Sequence, residues 1–131
     1  MIDTYCDKAE GFLKKADSLS PNNSEIYTLK AQIASARISV SPMTRGQKYG
    51  TMAGEIREQA KKMDPTNPRP YFLEGTGFYY TPPMFGGGKD KAKPSFERAL
   101  TLFDTFKPAS SIAPHWGRKG TERFLKLCDE K

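Results

Sequence analysis

The sequence predicts an all-α protein of about six helices in antiparallel pairs, and three observations predict it. Apolar residues recur at spacings of three and four along most of the chain, the period of a helix with one buried face. Prolines cluster between those stretches, where they end one helix and start the next. One hinge also recurs. Ala60-Lys61-Lys62-Met63-Asp64-Pro65-Thr66 has the layout of Ala16-x-x-Leu19-Ser20-Pro21-Asn22, and Tyr71 and Gly75 follow Pro65 as Tyr27 and Ala31 follow Pro21. Ile38 and Val40 could support a strand, but no partner strand is evident.

The first helix is expected from about Ile2 to Leu19, with Tyr5, Cys6, Ala9, Phe12, Leu13, Ala16 and Leu19 along one face. Pro21 breaks it, and Asn22-x-x-Glu25 has the spacing of a capping box. The second helix then buries Ile26, Leu29, Ile33 and Ile38 and fades at residues 39–42. Residues 41–46 read as a connector, and a third helix runs from about Gln47 to Met63. Gly50 and Gly54 weaken it by roughly 1 kcal/mol each relative to alanine, and their spacing marks a close helix crossing. Asn67-Pro68 starts a fourth helix, an amide N-cap followed by proline at the first helical position. That helix carries Tyr71, Phe72, Phe78, Tyr79 and Tyr80, with Gly75 where a neighbouring backbone comes close.

Residues 81–90 are the least helical stretch. Pro82-Pro83 should be extended, and Gly86, Gly87 and Gly88 should turn with positive φ. A fifth helix is expected from Lys91 to Phe106, with Pro94 in or next to its first turn. Residues 108–114 form a loop, and Pro114-His115-Trp116 starts the last helix, through Gly120, Phe124 and Leu127.

An aromatic residue four before a small one, alanines at seven-residue spacing and then proline is the pattern of tetratricopeptide helix pairs. The chain resembles that superfamily over most of its length. The weaker third copy is Ala92, Phe96 and Ala99, followed by Trp116 and Gly120. The period departs from 34 residues, by about ten in the first unit and about five in the second. The resemblance implies a single domain over residues 1–131, a short right-handed α-solenoid, and a chain that is a fragment of a longer repeat protein or has open ends. Pro82, Phe85, Gly86 and Gly87 match a Pro-x-x-Phe-Gly-Gly segment of such proteins, in which Phe85 would plug a gap between helices. The concave face implied for a peptide is Arg69, Phe72, Thr76, Tyr79 and Tyr80 on the fourth helix, with Thr28 and Gln32 on the second. Phe72 and Tyr79 have core filling as their competing role. The basic and asparagine carboxylate clamp of chaperone-binding members is absent, because those positions hold Thr28, Gln32, Phe72 and Thr76.

Catalytic chemistry lacks its parts. Phe85-Gly86-Gly87-Gly88-Lys89-Asp90 is no phosphate loop: no glycine stands four residues before the Gly-Lys pair, and Asp90 occupies the hydroxyl position. His115 is the only histidine, so neither a metal site nor a nucleophile–base pair can be assembled around it. Cys6 and Cys128 fall on apolar helix faces and read as small buried hydrophobes. No cofactor is expected.

The net charge of +6 permits acidic partners. Yet Lys14, Lys15, Lys30, Lys61, Lys62, Lys93 and Lys126 are dispersed, which disfavours nucleic acid. A mean hydropathy of −0.67, no long apolar run and no signal-peptide pattern predict a soluble chain, cytoplasmic by default and periplasmic if a leader was removed. The expected function is non-catalytic: a protein–protein interaction or assembly module with a protein or peptide partner. The rivals are a basic helical repeat that binds nucleic acid and, last, a small enzyme. Self-association through open solenoid ends is a further expectation, through an apolar surface drawn from Ile2, Tyr5, Phe12, Phe124 and Leu127.

Overall fold

The computed structural model describes residues 1–130. Among them are six α-helices, one short 3-10 turn and no strand: α1 Ile2–Leu19, α2 Ser24–Ile38, α3 Pro42–Met63, α4 Arg69–Tyr80, α5 Lys89–Thr105 and α6 Arg118–Asp129, with the turn at Pro83–Phe85. The all-α reading holds. The chain divides into two compact units, Met1–Pro65 and a second from Thr66 onward, at the proline hinge that the sequence marks out. Each unit holds three helices.

In the first unit α2 lies between α1 and α3. Its buried residues are Ser24, Ile26, Thr28, Ala31, Ala34 and Arg37, while Leu29 is exposed and Ile33 and Ile38 are half-buried. A helix packed on two sides has no single apolar stripe. Small residues let both neighbours approach, and polar groups inside close their bonds locally: Thr28 donates to the Ser24 carbonyl at 2.8 Å and Ser24 to Ala60 on α3 at 2.7 Å. Near the other end of α2, Arg37 is gripped from α1 by Asp3 at 3.0 Å, Asp7 at 2.7 Å and Glu10 at 3.1 Å. These contacts, with Lys30–Asp17 at 2.9 Å, fix α1 and α2 as antiparallel.

Local chemistry shifted several boundaries. Asn23, not Asn22, caps α2, its side chain accepting from the Glu25 N–H, while Asn22 takes the left-handed turn at φ 58°. Helix α3 starts at Pro42, so the expected connector is its first turn, with Pro42 where its missing N–H costs nothing. Gly50 and Gly54 mark no close crossing: a Cβ at Gly50 would meet nothing, and at Gly54 only the tip of Arg57 at 3.7 Å. Helix α4 starts at Arg69, so Pro68 is its N-cap residue rather than its first helical one, and the Asn67 side chain accepts from the Arg69 N–H at 3.1 Å from one position earlier than expected.

In the second unit α5 packs between α4 and α6. Gly75 is a close contact, but with a side chain rather than the backbone expected there: a Cβ would lie 2.6 Å from the Phe96 ring. Pro94 sits inside α5 rather than at its start, and tertiary packing of Ala92, Ser95, Phe96 and Ala99 holds the helix across it. Helix α6 begins at Arg118, after Gly117 at φ 111°, so Trp116 and His115 belong to the preceding loop.

Candidate functional site

Helix α4 offers two adjacent faces. Tyr71, Glu74, Gly75 and Phe78 meet α5, as shown by the Ser95–Glu74 hydrogen bond of 2.8 Å, the Gly75–Phe96 contact, and Lys91 and Arg98 over the Phe78 and Tyr71 rings. One residue further round, Phe72, Thr76, Tyr79 and Tyr80 form a second face at helical spacing. That face is met by α6. Gly120 leaves room for Phe72, whose ring tip would stand 3.0 Å from a Cβ there.

Phe124 of α6 is the centre of the resulting wall of rings. It stacks on Phe96 at 5.1 Å and 8°, and meets Phe72, Tyr79 and Tyr80 edge-on at 6.1, 5.1 and 6.0 Å. Tyr79 and Tyr80 are themselves edge-on at 5.2 Å, and Trp116 meets Phe72 at 6.3 Å. The wall runs from inside to outside. Phe96 is wholly buried, Phe72, Tyr79 and Phe124 are half-buried, and Tyr80 is 73% exposed.

Two features border its outer end. The loop after α4 folds back, with the Gly88 N–H on the Phe78 carbonyl at 2.8 Å, and Gly87 has no room for a side chain against Thr81. Gly86 and Gly88 take the positive φ expected of them but Gly87 does not, and of the two prolines expected to be extended only Pro82 is, since Pro83 opens the 3-10 turn. This geometry turns Phe85 outward, 73% exposed, so it plugs no gap between helices; Met84 beside it is exposed too. The second feature is on α6. Lys119, Arg123 and Lys126 form an exposed stripe next to the Gly120–Phe124–Leu127 face, on the side away from α5. None of the three forms an ion pair among the described residues.

The face expected for a peptide is divided by the structure. Phe72, Thr76, Tyr79 and Tyr80 come together. Arg69 does not join them: it is wholly buried, its guanidinium against the rings of Phe106 at 4.8 Å, Trp116 at 5.4 Å and Phe103 at 5.9 Å. Thr28 is wholly buried within the first unit, and Gln32 is exposed there. Phe124 and Leu127 are half-buried against the second unit rather than left on an open end. The sequence reading missed Phe124 as the hub and the Lys119–Arg123–Lys126 stripe. Their spacings of three and four were the available signal.

The wall offers ring faces, ring edges and two phenolic hydroxyls, with cations alongside. Among the described residues no group of three or more His, Cys, Asp or Glu is placed to hold a metal ion. His115 lies exposed in the loop, its ring nitrogen 3.3 Å from the Ala113 carbonyl. Cys6 is buried in the first unit and Cys128 half-buried in the second; both are free thiols.

No helix among the described residues is long and apolar enough to cross a membrane. No protein-family model matches the chain, and no curated protein does. Among solved structures the chain is similar to the HusA haemophore from Porphyromonas gingivalis, with 41% identity, a TM-score of 0.87 and 97% of this chain covered. The match spans 63% of that chain's length.

Proposed function

We propose that the protein binds haem as cargo, on the ring wall of α4 and α6. The likeness to a haemophore carries this reading, and the chemistry of the wall supports it. A porphyrin is a flat apolar plate with carboxylates on one edge. It needs ring contacts for its faces, here Tyr79, Tyr80 and Phe124, and cations for its carboxylates, here Lys119, Arg123 and Lys126. Tyrosine oxygen is an established ligand type for haem iron, and the wall supplies two.

The test is a haemin titration followed by the change in the Soret absorption band. A saturable change is expected for the wild-type chain. Tyr80→Ala should weaken binding on the order of tenfold, the worth of one aromatic contact. Arg123→Glu should weaken it through the carboxylates. No saturable change with the wild-type chain would sink the haem reading, and binding unaltered in both variants would place it off this wall.

The recurrent proline hinge supports a second reading, in which the helix pairs are tetratricopeptide-like and the same rings take a peptide. In both readings the role is binding, not turnover.

A further inference from the structure

Helix α1 has its most apolar stripe on the outside. Ile2, Tyr5, Ala9, Phe12, Ala16 and Leu19 alternate at spacings of three and four, the repeat that keeps a seam facing a partner helix. Ile2, Tyr5, Phe12 and Leu19 are 41%, 64%, 75% and 78% exposed, whereas Cys6 and Leu13, one step round, are buried. A helix of one apolar stripe would bury that stripe. Here the inward side of α1 is held largely by charge, through Asp3, Asp7 and Glu10 on Arg37 and Asp17 on Lys30.

That arrangement sorts the charges of α1. Four of its carboxylates point to α2, and Lys8 and Lys15 are left along the far flank of the seam. Neither lysine forms an ion pair among the described residues; Lys8 reaches only the Tyr5 ring, at 6.0 Å. A second copy of α1 is a poor occupant. Pairing two such seams antiparallel sets the lysine flanks together, Lys8 against Lys15 of the copy, and pairing them parallel sets each lysine flank against the Cys6–Leu13 side of the copy, which is already buried. The charge calls for an opposite partner.

We propose that the outer face of α1 is a docking seam for an amphipathic helix with an apolar three–four stripe and carboxylates along its flank. The similar haemophore chain has more than a third of its length outside the matched region, enough to hold such a helix. The inference does not rest on haem binding, since it concerns the other unit.

Two fluorescein-labelled synthetic helical peptides test it, each about three heptads long with leucine at the seam. One carries glutamate at its flanks and the other lysine. With the full chain, anisotropy should show the glutamate peptide binding about tenfold more tightly at low salt, two ion pairs replacing two repulsions. Lys8→Glu with Lys15→Glu should reverse that order, and Phe12→Glu should abolish both. All three positions are exposed, and circular dichroism checks the fold. Equal affinities, or binding of neither peptide, would overturn the proposal. So would a concentration-dependent dimer that Phe12→Glu disperses, since the occupant is then a second copy.

Discussion

Gly75→Ala adds a single methyl group to the second unit at its tightest point. The new Cβ would stand 2.6 Å from two atoms of the Phe96 ring and 2.8 Å from a third. Ordinary carbon contact is about 3.5–4.0 Å, so the ring must move by about 1 Å. It has nowhere easy to go, because Phe96 is wholly buried, stacked on Phe124 at 5.1 Å and tilted against Phe72 at 6.1 Å. Overpacking costs about 1–3 kcal/mol, and a boxed aromatic ring belongs at the upper end. Helix propensity opposes this, since alanine gains about 1 kcal/mol over glycine inside a helix. The net loss is about 2 kcal/mol. For a cooperative unit of 60–100 residues that lowers Tm by about 8–16 °C. Thermal melts followed by circular dichroism should show it, with Gly54→Ala as control: that Cβ meets only a flexible arginine tip, so the same substitution should raise Tm. Equal rises for both variants would refute the packing argument. A Gly75→Ala loss relieved by Phe96→Leu would identify the ring as its cause.

Three other perturbations have defined outcomes. The hydrogen bonds from Arg45 and, less strongly, Arg37 hold the Asp3 carboxyl below its ordinary value of 3.8, although burial pulls the other way. A depressed carboxylate stabilises the fold above its unfolded value and loses that contribution as pH falls through the folded one. The first unit should therefore soften only below about pH 4, and Asp3→Asn should flatten that acid dependence in melts between about pH 3 and 7. Gly117→Ala should cost about 1–3 kcal/mol by urea denaturation, because φ is 111° and the Cβ would lie 2.8 Å from Phe103. Burial raises the Cys128 thiol above its ordinary value, so iodoacetamide should label Cys128 slowly at neutral pH but still before buried Cys6, as peptide mass spectrometry would read.

Much of the helical order was legible because caps and prolines act locally. The Ile2–Leu19 helix, the Pro65 hinge and the Asn67 side-chain bond to the Arg69 N–H depend on residues within one turn of each other. The Gly75 contact was legible too, since a small residue amid Tyr71, Phe72 and Phe78 leaves a gap that a neighbour fills. What spacing does not carry is which neighbour covers which face. Leu29 is exposed and Thr28 buried because α2 has partners on both sides and no single stripe. Gly50 and Gly54 have the spacing of a crossing but no helix against them. Arg69 was expected on the concave face because it is offset from the Tyr71, Gly75 and Phe78 packing face, yet it is buried against the rings of Phe103, Phe106 and Trp116. The ring wall was half legible: its α4 residues share a face by spacing, whereas Phe124 joins them only through the return of the chain after Gly117.

Trp116 is the only tryptophan in the chain, and it stands within the ring system of the second unit. The molecule thus carries a built-in optical reporter of one half. Emission excited above the tyrosine absorption comes from residue 116 alone, between the guanidinium of Arg69 at 5.4 Å and the edge contact with Phe72. Phe72 in turn touches Phe124 at 6.1 Å, so a chromophore seated on Tyr79 and Tyr80 would lie about two ring widths away. Resonance energy transfer across so short a gap is nearly complete. A dark ligand at the wall would extinguish the indole signal.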